Sequence, residues 1–78
     1  MLPTLLKAGD QFQIETEPAP YRKVNVHEIT NIETVNESLV IDSEIISGSG
    51  GPIPRAAKQI AVPIGTTIEK IEQGTYFD

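Results

Sequence analysis

Apolar side chains recur along much of this chain at every second position, the spacing of a strand with one covered face. Gln11-Phe12-Gln13-Ile14-Glu15-Thr16 is the clearest case and predicts a first strand with Phe12 and Ile14 inward. Glu17-Pro18-Ala19-Pro20 ends that run, because two prolines remove two backbone donors and cannot occupy a paired strand interior. Tyr21 to His27 resumes the alternation and predicts a second strand with Val24 and Val26 inward. Ile29, Ile32 and Val35 follow on changed parity, which a β-bulge or short turn near His27-Glu28 explains. Their spacing of three also fits a helical turn, although β-branched side chains favour the strand. Asn36-Glu37 reads as a hairpin turn. Beyond it Ser38 to Ile46, SLVIDSEII, carries the densest β-branched content of the chain and predicts a central strand, with Leu39 and Ile41 on one face and Val40 on the other.

Residues 47–55 are too rich in glycine and proline for regular structure and predict a flexible loop. Ile60-Ala61-Val62-Pro63-Ile64 alternates again, with Pro63 marking an edge position or the strand's end. Gly65-Thr66 turns, and Thr67 to Glu72 reads as a last strand, its Ile68–Ile71 spacing leaving a helical turn open. At the other end Leu2, Leu5 and Leu6 share one side of a single helical turn that Ala8-Gly9-Asp10 terminates. About five short strands separated by glycine or proline turns describe one all-β domain, a small antiparallel barrel or sandwich of SH3-like or OB-like type.

The layout L-x-x-G-D-x-F at Leu6 to Phe12, Tyr21 opening a strand, and V-P-x-x-T-x-I-E-x-I at Val62 to Ile71 resembles short bacteriophage and bacterial proteins with SH3-like barrels. These motifs are structural, marking turns ahead of strands, and cover about half of the chain. The resemblance implies a fold and a phage setting. That group has no common activity, so it carries over no functional residue.

Composition narrows the function classes. At 78 residues the core is near the lower limit of self-sufficiency, and with no cysteine and one histidine neither disulfides nor a thiolate or imidazole metal cluster can reinforce it. Self-association is then the expected way to bury more apolar surface. The net charge of −5 opposes the phosphate attraction on which nucleic-acid binding depends. The acidic residues are scattered, as on a solvated surface, and no apolar run approaches membrane-spanning length. The expectation is a soluble protein of the cytoplasm, or of the host cytoplasm or virion if phage-encoded, acting without a cofactor and without contact with membrane or nucleic acid.

Candidate chemistry is sparse. A Ser/His/Asp triad would have to use His27, but nothing in the sequence brings a serine and a carboxylate to it, there is no G-x-S-x-G elbow, and His27 beside Glu28 reads as a surface residue. Asp42 and Glu44 share a strand face that reads as solvated in preference to cation-binding. Gly48, Gly50 and Gly51 offer open backbone amides, with Arg55 and Lys58 close behind, as an anionic nucleotide-like ligand at a subunit interface would require. The run lacks the order of a phosphate-binding loop. The same loop can instead present Ile53 between Pro52 and Pro54 to a protein partner, and Tyr76-Phe77 can anchor one. The sequence therefore suggests a non-enzymatic interaction protein using the 47–55 loop and the tail, with ligand sequestration or a capsid or tail structural role as alternatives.

Overall fold

The computed structural model describes residues 5–48 and 55–78. Four antiparallel strands, β1 (Gln11–Glu17), β2 (Lys23–Val35), β3 (Ser38–Gly48) and β4 (Ala57–Pro63), form one sheet in sequence order, followed by a short helix α1 (Ile68–Gln73). The sheet curls into a half-barrel. Its concave face holds Phe12 and Ile14 of β1, Ile29 of β2, Ile41 of β3, Ile60 and Val62 of β4, and Ile71 of α1, all buried. Leu6, Ile32, Leu39, Ile68 and Tyr76 close this core at its margin.

β2 and β3 make the long central hairpin. It reverses at Asn36, whose φ of 57° is a left-handed conformation that asparagine tolerates better than most residues. Two bulges bend it. Thr30 is the extra residue on β2, between the pairs Ile29–Ser43 and Asn31–Asp42. Ile46 is the extra residue on β3, between His27–Ile45 and Val26–Ser47. An added residue increases local twist and re-aims every side chain beyond it, so the inward row of β2 runs Asn25, His27, Ile29 and, past Thr30, Ile32.

This corrects the expected parity. Val24 and Val26 are on the outer face, half-buried, and Asn25 and His27 point inward. The parity change lies at Thr30, two residues beyond the His27-Glu28 position inferred from the valines. The expectation of a strand for 29–35 and of Leu39 and Ile41 opposite Val40 agrees with the structure. So does Pro63 at the end of the edge strand β4.

The expected fifth strand is α1. Thr67 caps it, its hydroxyl accepting from the Lys70 amide at 3.3 Å, and Gly74 stops it, donating to the Ile71 carbonyl at 3.1 Å. Ile68 and Ile71 then share the face turned to the core, and Ile71 fills the open side of the curled sheet. The Glu72 carboxylate accepts from the Gln13 amide at 2.9 Å and pins the helix to β1. Of the expected N-terminal helical turn, residues 5–7 are irregular and residues 1–4 lie outside the described ones; the turn at Ala8-Gly9 is present. Of the loop expected over 47–55, Ser47 and Gly48 belong to β3, Arg55 lies in a turn, and residues 49–54 lie outside the described ones.

Candidate functional site

The bulge at Ile46 leaves Gly48 facing Asn25, and only glycine fits there. Its φ is 148°, and a Cβ would come within 2.6 Å of the Val24 carbonyl oxygen and closer still to the Asn25 side-chain oxygen. β3 thus closes tightly over the start of β2 at the end of the sheet that Gly48 marks. The chain's C-terminal residues arrive at this same end. After Gly74 the tail runs parallel to the outer edge of β1, Phe77 bridging Glu15 and the Asp78 amide donating to the Glu15 carbonyl at 3.1 Å.

Asp78 turns its carboxylate into the interior. Its Oδ2 lies 2.7 Å from His27 Nε2 and accepts from Asn25 Nδ2 at 3.2 Å. The His27 ring is fully buried, and only 5% of the Asp78 side chain is exposed. On the far side of the ring, Nδ1 lies 3.1 Å from Ser43 Oγ, which donates in turn to the Lys58 carbonyl at 3.3 Å. Phe12 stacks on the imidazole, centroids 5.4 Å apart and planes inclined by 12°. The Lys58 ammonium donates to the Phe77 carbonyl at 2.7 Å, joining β4 to the tail.

Hydrogen bookkeeping restricts this chain of contacts. A carboxylate only accepts, so the hydrogen between Asp78 and His27 sits on Nε2 or is shared across the pair. Ser43 has one hydroxyl hydrogen, and its bond to the Lys58 carbonyl uses it. Ser43 Oγ links the Nδ1 side of the ring to the β4 backbone, so that Asp78, His27 and Ser43 form a buried chain of contacts in which each group has a partner.

These residues are of the kinds found in a catalytic triad, but their arrangement does not expose a nucleophile. Ser43 is 2% exposed, and its hydroxyl points between β2 and β4. Neither of two clefts on the described surface is lined by Ser43, His27 or Asp78. One, of about 350 Å³, is bounded by Val62 to Thr66, Lys70 and Tyr76; the other, of about 240 Å³, by Gln11, Phe12, Gln13, Val26 and Glu72. Among the described residues no group of three or more side chains could hold a metal ion. No helix there is long and apolar enough to cross a membrane.

The residues singled out in the sequence are partly brought together. Gly48 abuts Asn25, Lys58 holds Phe77, and both meet at Asp78. Arg55 is largely exposed at the loop's return, with φ of 76° and a 3.7 Å contact from its guanidinium to Glu44. Tyr76 is separated from this group, packing on the core margin beside the larger cleft. Gly50, Gly51 and Ile53 lie outside the described residues. Asn25, His27, Ser43 and Asp78 were not anticipated as a group, and the expectation of a surface His27 is overturned by its complete burial. Comparison with protein-family models, with curated proteins and with solved structures finds no match to this chain.

Proposed function

We propose that this protein is a non-enzymatic interaction module that binds a protein partner through its 47–55 loop and its C-terminal tail, at the end of the half-barrel marked by Gly48 and Phe77. The observation that carries the reading is the convergence of Gly48, Lys58 and Phe77 around the buried Asn25–His27–Asp78 contacts. A tail fixed at its carboxylate and backbone presents Phe77, 43% exposed, at low entropic cost. Ile46, 39% exposed at the β3 bulge, adds a second apolar side chain near the same end. An aromatic anchor on a pre-ordered strand is the kind of feature that concentrates binding energy.

An anionic ligand is the weaker alternative. Lys58 already serves the Phe77 carbonyl, and Arg55 faces Glu44. The test is native mass spectrometry of the full chain purified from the organism that encodes it. The reading expects a retained second polypeptide that Phe77→Ala releases and Arg55→Ala does not. A bare protein, or a small bound anion lost with Arg55→Ala, contradicts it.

A further inference from the structure

The tail is held in a way that defines a recognition site and not only a fold contact. Two side chains from one strand, His27 at 0% and Asn25 at 1% exposure, converge on a single carboxylate oxygen. A third, Lys58, takes the preceding carbonyl. The backbone beside them is laid down as a short parallel addition to the edge of β1, through the Phe77–Glu15 bridge and the Asp78 amide. Strand addition at a sheet edge combined with side-chain pockets is a general mode of peptide recognition: the main chain supplies affinity and the pocket supplies selectivity.

We propose that Asn25, His27 and Lys58 form a carboxylate-recognition socket for an aromatic–aspartate peptide strand, filled here by the chain's own Phe77-Asp78 and in exchange by the same segment of a second copy. Exchange is chemically neutral, because the incoming tail remakes each bond that the outgoing one gives up. Only Gly74, Thr75 and Tyr76 separate α1 from the seated pair, so the segment released is short. Charge sets the selectivity. The imidazole Nε2 and the Asn25 amide both meet one oxygen, Oδ2; an amide carbonyl in that place would accept both without the charge that makes bonds to a carboxylate roughly twice as strong.

The experiment uses the full chain carrying Asp78→Gly, which deletes the equivalent of one acetate from the socket. Sodium acetate is titrated against sodium chloride at equal ionic strength, and the single imidazole is followed by 15N NMR alongside the melting temperature. The socket predicts that acetate shifts the His27 resonances and raises the melting temperature of the variant but not of the natural chain. The peptide Thr-Tyr-Phe-Asp should act likewise, and its Asn-ended counterpart should bind about tenfold more weakly or less. If Asp78→Gly alone is unfolded, folding induced by acetate or by the acidic peptide, read by circular dichroism, is the same positive result. Equal responses to acetate and chloride, or to the two peptides, overturn the socket. Sedimentation of the natural chain at rising concentration should show a dimer that Asp78→Gly lacks; a dimer equal in both, or none in either, overturns the exchange.

Discussion

Removing the Asp78 carboxylate should cost this small protein a large part of its stability, and removing His27 as well should restore some of it. Asp78→Ala leaves His27 Nε2 and Asn25 Nδ2 without the acceptor they share. A buried donor left unsatisfied costs about 1–3 kcal/mol, and breaking one side of a buried ion pair about 3–5 kcal/mol. The carboxylate sits on a surface tail and water can follow it out, which places the expected loss near the lower end, about 2–3 kcal/mol. A chain of this size has roughly 4–12 kcal/mol in total, so the loss corresponds to a fall in melting temperature of about 10–20 °C.

His27→Phe alone should cost a similar amount, because Asp78 keeps Asn25 but loses its principal donor. The double variant behaves differently. Phe in place of His27 preserves the stacking on Phe12, and Ser43 retains its bond to the Lys58 carbonyl, so with the carboxylate gone no buried imidazole is left without its acceptor. Replacing both partners by apolar groups of similar shape is often nearly neutral. The double variant should therefore be no less stable than either single one, a coupling of about 2 kcal/mol. Urea denaturation followed by far-UV circular dichroism measures all four species. Additivity within about 0.5 kcal/mol, the result for independent sites, would refute the network as described.

Gly48→Ala sets a methyl group against the backbone of β2 at a φ that only glycine adopts freely, and should destabilise by about 1–3 kcal/mol in the same assay. Ile71→Ala empties the plug that α1 places over the curled sheet; a loss of about 2–5 kcal/mol is expected, and a loss under 1 kcal/mol would mean that the helix is not part of the core. Thr67→Ala removes the helix cap, with an expected loss of about 1 kcal/mol that Thr67→Ser largely avoids. The Arg55–Glu44 contact is solvent-exposed, so Arg55→Ala should shift the urea midpoint by no more than the experimental error.

The strands were legible because one face of each is covered. Phe12 and Ile14, Leu39 and Ile41, and Ile60 and Val62 carry the period directly. The helix was less so, since Thr67-Ile68-Glu69-Lys70-Ile71-Glu72 is too short for its spacing of three to outweigh β-branched content. The deciding signals were local, a threonine cap before Ile68 and a glycine after Gln73. The site was hidden by a reasonable assumption, that valines point inward and polar residues outward. Counting back by two from Ile29 passes through His27 and Asn25, and counting on from Ile41 reaches Ser43, so the row of buried polar residues was readable from parity once Ile29 was taken as the anchor. Nothing local marks Thr30 or Ile46 as bulged. Asp78 had no signal either, because its role depends on a contact 51 residues away in sequence.

The most direct test of the account is the 15N spectrum of the chain labelled at its single histidine, recorded for the natural sequence and for Asp78→Ala. A hydrogen on Nε2 protected from solvent exchange in the natural chain, and lost or rapidly exchanging in the variant, is the predicted result. A freely exchanging imidazole whose resonances are the same in both proteins would contradict the buried His27–Asp78 contact on which the tail, the socket and the proposed binding surface all depend.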